Sequence, residues 1–355
     1  MHLDYSNISE RDIQAVSIAL TAGQVSTAAP LVRNFEQAMA KRLGVSDAVA
    51  TNSGSAALHL ALLAAGIGPG DEVIVPVLTF AATANVVRYV GARPVFVDVD
   101  AETWCIVAEN LLGRRGGAII AVHLYGNLCI MRKITDISKI SETVVIEDAA
   151  EALGVKDAGI IGDYGCFSFN GNKTMTTGGG GALVAKDSSV AKFIRHISSQ
   201  AKLDDGTYDA VGYNYRMPAL NAALGLSQLY RLDDFLAKKR LFNRIYREEL
   251  HDLIQFQQAT PSSEPSWWYT AGTIPGDEPI EELQKRLKER RVPTRRVFRP
   301  LHHSPPFKEF AKGQEFPNAE YIWRRGLCLP CSTLNSEADI RWACQIIRKV
   351  IKDAR

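Results

Sequence analysis

Phe167-Ser168-Phe169-Asn170-Gly171-Asn172-Lys173-Thr174-Met175-Thr176-Thr177-Gly178-Gly179-Gly180-Gly181 sets one lysine in a short polar turn. On one side is an apolar run, Cys166 to Phe169, and on the other are four consecutive glycines. Upstream, Val144-Val145-Ile146-Glu147-Asp148-Ala149-Ala150 reads as an apolar strand ending in a carboxylate. Ligands of α/β sheets gather at such strand ends, so Asp148 and Lys173 are candidates for one site. A phosphate-loop reading of Lys173 fails. That motif needs glycine directly before the lysine and another five residues earlier, and here Asn172 precedes it. Gly178 to Gly181 let the backbone turn tightly.

Short apolar runs alternate with helix-like or loop segments along the chain. Glu72 to Val75, Pro94 to Val99, Ala118 to Val122 and Thr143 to Ile146 read as strands. So do Gly159 to Ile161, Cys166 to Phe169 and Ala182 to Val184. Arg33 to Leu43 has helical spacing of Phe35, Met39 and Leu43. Ser53 to Ala65 is a second helix, with Ser53 as its cap and Gly66 as its stop. This alternation predicts βαβ units and a mainly parallel sheet. Pro218 opens a helix from Ala219 to Leu232, and Leu236 to Leu250 continues helically. The tail offers strands at Trp268 to Thr273 and Val292 to Val297, and helices at Glu281 to Arg290 and Ser336 to Ile351. The expected division is a large domain over residues 1–245 and a smaller α/β domain over 246–355.

The 355 residues suffice for two such units. A net charge of +2 argues against a dedicated nucleic-acid binder and fits an anionic small-molecule substrate. No apolar run is long enough to span a membrane. Met1-His2-Leu3-Asp4-Tyr5 shows no secretory pattern, so a cytoplasmic location is expected. Six scattered cysteines do not make a disulfide framework. Cys328-Leu329-Pro330-Cys331 has CxxC spacing but no second ligand pair nearby, so no metal site is expected.

A lysine and a strand-end aspartate are what a pyridoxal phosphate (PLP) enzyme requires. The amine condenses with the cofactor aldehyde, and the carboxylate keeps the pyridine nitrogen protonated. Ser53, Gly54 and Ser55 open a helix whose N–H groups suit a phosphate.

These motifs resemble the DegT/DnrJ/EryC1/StrS sugar aminotransferases from about Gly23 to about Ile340. Further blocks carry the resemblance: Thr51 to Leu58, Gly68 to Pro76, Thr79 to Asn85, Glu147 to Ala152 and Gly212-Tyr213-Asn214-Tyr215-Arg216-Met217. Ser168 to Gly181 and Gln200-Ala201-Lys202 look most like the subgroup making 4-amino-4,6-dideoxy sugars on UDP. The resemblance implies a fold type I PLP transferase: a large mixed, mainly parallel sheet domain with a smaller C-terminal α/β domain.

Residue by residue, the resemblance implies that Lys173 carries the Schiff base and Asp148 faces the pyridine nitrogen. Ser168 would bind the cofactor phosphate and Phe80 would stack on the ring. Glu151 stands where many members carry glutamine, near the phenolic oxygen. Asn214 would reach the phosphate of a partner subunit, with Arg216 close to the same site, so a homodimer with shared active sites is implied. His302, beside His303, would contact the sugar. The cluster Arg290, Arg291, Arg295, Arg296 and Arg299 reads either as a diphosphate site or as a solvated face.

The implied reaction transfers an amino group from glutamate to a nucleotide-linked 4-keto-6-deoxy sugar, in surface polysaccharide or glycan biosynthesis. GDP-perosamine synthesis and 3-amino transfer on a dTDP-ketosugar are alternatives. A PLP-dependent sugar dehydratase would carry histidine in place of Lys173. A non-catalytic PLP-binding regulator is the reading from another class.

Overall fold

The computed structural model describes residues 1–113, 116–187 and 189–353. Seven strands build the main sheet: β1 (Val49–Thr51), β2 (Glu72–Pro76), β3 (Arg93–Val97), β4 (Ala118–Val122), β5 (Val144–Asp148), β6 (Tyr164–Ser168) and β7 (Gly181–Ala185). Their order is β1-β7-β6-β5-β4-β2-β3. Strands β3, β2, β4, β5 and β6 run parallel, and β7 is antiparallel to both of its neighbours. Helices precede and link the strands: α1 (Glu10–Thr21), α2 (Pro30–Leu43), α3 (Gly54–Ala64), α4 (Ala82–Tyr89), α5 (Met131–Ser141) and α6 (Val190–Ser198). Ile119, Ile120, Ala121 and Ile146 are almost wholly withdrawn from water. Covered parallel strands therefore read as continuous apolar runs rather than alternating ones.

Helices α7 (Ala219–Tyr230) and α8 (Leu232–Leu250) carry the chain to a second sheet. That sheet contains β8 (Gln255–Phe256), β9 (Ala271–Thr273), β10 (Arg295–Arg296) and β11 (Gly326–Cys328), ordered β10-β11-β9-β8 and antiparallel throughout. Helices α9 (Ile280–Glu289), α10 (Pro317–Arg325) and α11 (Glu337–Lys352) accompany it. The expected boundary after residue 245 falls inside α8. One apolar cluster joins Val75, Val122 and Tyr125 to Trp268, Val297 and Leu301, so the main sheet and the second layer share a core.

Local signals act as expected at several ends. Ser53 caps α3 by accepting from the Ala56 N–H at 3.1 Å. Pro30 opens α2, and Gly44 ends it in a left-handed conformation with φ 71°.

Other expectations are corrected. Gly159 to Ile161 is a turn, not a strand. The buried Glu147 carboxylate accepts from the N–H groups of Gly159 (2.9 Å), Ile161 (2.7 Å) and Gly162 (2.6 Å), so these groups are not free to pair in a ladder. The strand expected from Trp268 begins only at Ala271, after a left-handed Trp267 with φ 48°. The strand expected from Val292 is confined to Arg295–Arg296, past Pro293, which lacks an N–H.

Candidate active site

The site forms where β5 and β6 end. Ser168 pairs with Gly181 across β6 and β7, so residues 169–180 close the connection that carries Lys173. The Phe169 N–H bonds to the Gly180 carbonyl at 2.8 Å, and the Lys173 N–H bonds to the Asn170 carbonyl at 3.0 Å. Asp148 is the last residue of β5, opposite Val122 and Cys166. The parallel register thus delivers the carboxylate and the lysine loop to one edge.

Asp148 is buried. Its Oδ2 accepts from Thr83 Oγ1 at 2.9 Å, and its Oδ1 accepts from the Ala150 N–H at 3.3 Å. Thr83 Oγ1 also meets Thr79 Oγ1 at 3.0 Å. Burial pushes the Asp148 carboxyl above its ordinary value; the Thr83 hydroxyl, the Ala150 N–H and the nearby Lys173 charge oppose that rise. Glu151 behaves alike: burial raises its carboxyl, and Lys173 and the Tyr125 N–H pull it back. Glu151 Oε1 lies 3.2 Å from Lys173 Nζ, and its Oε2 accepts from the Tyr125 N–H at 2.6 Å.

Behind Asp148, the neighbouring Glu147 bonds His123 Nε2 at 2.8 Å. His123 Nδ1 accepts from the Cys129 N–H at 3.3 Å, so the ring proton sits on Nε2 and is donated to Glu147. Glu147 therefore pins the turn after β5 while Asp148 faces the site.

The start of α3 lies against Ser168. A Cβ added to Gly54 would stand 2.8 Å from Ser168 Cβ and 3.2 Å from its Oγ. A hydroxyl and the first turn of a helix thus lie side by side, an arrangement suited to an anion. Phe80 is 60% exposed and leans on Phe298, with ring centroids 5.8 Å apart. Phe298 in turn stacks on Tyr125 at 5.3 Å.

An anion cradle, a buried carboxylate, a buried-side lysine amine and an open aromatic face are the donor set that PLP requires, so the residues present fit the cofactor. Lys173 and Glu151 meet directly, and Asp148 lies near enough to feel the lysine charge. Ser53, Gly54 and Ser55 open α3 against Ser168, at the end of β6.

Asn214 is exposed, and its carbonyl accepts from Asn52 Nδ2 at 3.0 Å. Arg216 lines a separate cavity of about 550 Å³ with Arg33, Glu36 and Arg195. His302 Nε2 bonds to Glu320 Oε1 at 2.9 Å, and His303 Nε2 turns to the same oxygen. Burial holds the His302 imidazole below its ordinary value. Within the basic cluster, Arg295 pairs with Asp4 at 3.3 Å and Arg296 with Glu281. All six cysteines are buried and free. Thr83, Tyr125, His123 and Trp268 also line or support the site, and the sequence motifs assign them no role. Thr79 and Thr83, four residues apart at the entry to α4, give a local hint.

The fold and this constellation define an aminotransferase that works with PLP. The family model described as "DegT/DnrJ/EryC1/StrS aminotransferase family" matches residues 6–348, and the chain belongs to that family. It is 36% identical to a GDP-perosamine synthase of Escherichia coli O157:H7 over 98% of this chain and 97% of that one. It is 40% identical to a GDP-perosamine synthase of Caulobacter vibrioides over 89% of each. Among solved structures it matches the PLP form of Spr1654 from Streptococcus pneumoniae, with TM-score 0.93 and 25% identity, over 100% of this chain and 99% of that one. No helix among the described residues is long and apolar enough to cross a membrane.

Proposed function

We propose that the chain transfers an amino group from glutamate to the C4 carbonyl of a nucleotide-linked 4-keto-6-deoxy sugar. The observation that carries this reading is the convergence of Lys173 Nζ, Glu151 and Asp148 at one strand edge beside the Ser168 cradle. When bound, PLP supplies a carbonyl for amines and a ring that accepts the electron pair released at the substrate carbon.

Lys173 would hold the cofactor covalently and, once displaced by glutamate, carry the proton at the reacting carbon with its Nζ. Asp148 would keep the ring nitrogen protonated; the pyridinium charge favours the carboxylate that burial alone disfavours. Ser168 and the start of α3 would bind the phosphate, and Phe80 would cover one ring face. Glu151, between Lys173 and the Tyr125 N–H, would set the charge next to the phenolic oxygen.

The names of the two relatives favour GDP as the nucleotide, whereas the lysine-loop motifs favour UDP. His302 is the proposed sugar contact, and Arg290, Arg291 and Arg299, for which no ion pair is found among the described residues, are the proposed diphosphate contacts. The chain would act as a cytoplasmic homodimer with the 212–216 loop shared between sites. The small unit after residue 245 would cover the cofactor.

Borohydride reduction of the PLP-loaded protein, followed by peptide mapping, tests the site: the tag belongs on Lys173, and a tag on Lys186 or Lys202 overturns it. A panel of GDP-, UDP- and dTDP-linked 4-ketosugars with glutamate, read by mass spectrometry, tests the substrate. No amination of any member overturns the reaction.

A further inference from the structure

Trp268 is 3% exposed and lies at the join between the lysine loop and the second sheet. Lys173 Nζ stands 3.8 Å from the centroid of its ring. Its indole Nε1–H donates to the Asn172 carbonyl at 2.7 Å, so the residue immediately before the lysine is tied to the same side chain. Asn172 is also held from its other end. Its Nδ2 donates to Asp4 Oδ2 at 3.4 Å, and that oxygen accepts from the hydroxyl of Tyr269, the residue next to Trp268.

The main chain of Trp268 is fixed in turn. The buried Lys239 ammonium, from α8, donates to the Trp268 carbonyl at 3.0 Å and to the Cys331 carbonyl at 3.1 Å. A buried ammonium in such a place is held only because carbonyls replace its water. Tyr125 stacks on the Trp268 ring at 6.1 Å, and the Tyr125 N–H anchors Glu151. One aromatic residue thus touches the lysine, its chain neighbour and the wall that orients its counter-ion.

We propose that Trp268 is a positioning residue for Lys173, and this rests on the PLP-dependent reading of the site. The indole N–H fixes the height of the loop through Asn172. The ring face confines Nζ to one position by cation–π attraction while it is protonated, with Glu151 at 3.2 Å placed to take that proton before the free amine attacks. An amine that is displaced from the cofactor and must return needs such a place. Without it, a four-carbon chain samples many rotamers, and the near-attack geometry becomes rare.

The test uses three forms of the full-length protein: wild type, Trp268→Phe and Trp268→Leu. The first readout is the rate at which PLP-free protein regains the visible absorbance of lysine-bound PLP, measured with no sugar present. The second is kcat and KM for glutamate. Trp268→Leu is expected to slow covalent attachment and kcat by about tenfold, within the range of one desolvated cation–π contact plus one hydrogen bond. KM for glutamate is expected to stay within about twofold, since Trp268 acts on the lysine and not on the donor. Trp268→Phe keeps the ring and is expected to recover part of the attachment rate.

Wild-type attachment rates in Trp268→Leu would overturn the proposal. So would a change confined to KM, or a phenylalanine variant as slow as the leucine one. If Trp268→Leu does not fold, Trp268→Met fills more of the volume without a ring and takes its place under the same criteria. Because attachment is read without ketosugar, an incorrect nucleotide assignment leaves this result intact. A wild-type protein that fails to take up PLP would instead defeat the reading of the site itself.

Discussion

Thr83 Oγ1 donates to Asp148 Oδ2 at 2.9 Å, joining the first turns of α4 to the end of β5 across 65 residues of sequence. The bond keeps a buried carboxylate aimed into the site although burial disfavours its charge. With no pyridinium beside it, the ionised Asp148 is a burden on the fold.

The pH dependence follows from that burden. The carboxyl is raised above its reference of 3.8, so between that value and the raised one the folded protein binds more protons than the unfolded chain. Stability of the PLP-free protein therefore falls as pH rises through that window, and the penalty is complete above it. Asp148→Asn is expected to melt higher than wild type without cofactor at about pH 8, with the gain shrinking toward about pH 4. Its kcat is expected to fall by about 10²-fold, the size seen when one partner of a developing charge is lost. Melting curves across pH, paired with glutamate half-reaction rates, check both. Equal melting at the higher pH, or near-native kcat, would contradict the assignment.

Gly54 is a site of close approach. An added Cβ would lie 2.8 Å from Ser168 Cβ, closer than side chains pack. Gly54→Ala is expected to push the start of α3 away from Ser168, at a cost of about 1–3 kcal/mol from overpacking. PLP affinity should drop by about tenfold or more, because the cradle widens at the phosphate. Equilibrium dialysis of PLP, alongside thermal melting, measures the two effects. Unchanged affinity would remove the phosphate from this corner.

The shared-site reading makes a prediction about mixtures. Lys173→Ala and Asn214→Ala are each expected to be nearly inactive. If Asn214 serves the partner's cofactor, a heterodimer of the two variants contains one site with both native residues. Subunit exchange should then restore activity, up to about half the wild-type value per heterodimer, since one of its two sites is native. In the competing arrangement, in which Asn214 serves its own chain's site, mixing restores nothing; Asn52 engages only the Asn214 carbonyl, not its side chain. Verified heterodimers without recovery would reject the shared site.

Much of this enzyme was legible in its sequence because each decisive motif is read from residues that are neighbours along the chain. The lysine loop, the apolar run of β5 ending in Asp148 and the capped start of α3 are local patterns with local causes. Apolar runs the length of a strand, interrupted by helix signals, were enough to give a covered parallel sheet. The misplaced elements had non-local causes. Gly159 to Ile161 reads as a strand until Glu147 takes the N–H groups of Gly159 and Ile161. The segment from Trp268 reads as a strand until the packing of Trp268 and Tyr269 bends it toward the lysine loop.

The partners of the candidate catalytic groups were decided only by tertiary structure. Thr83, Tyr125 and Trp268 are ordinary residues in sequence, and each is tied to the candidate site by directed contacts with groups far along the chain. Whether His302 is free to meet a sugar also depends on Glu320, 18 residues away on α10. A sequence carries the period of its apolar residues and the chemistry of its motifs. The direction in which a buried polar side chain must point is set by whichever distant group can satisfy it, because an unsatisfied one is too costly to keep.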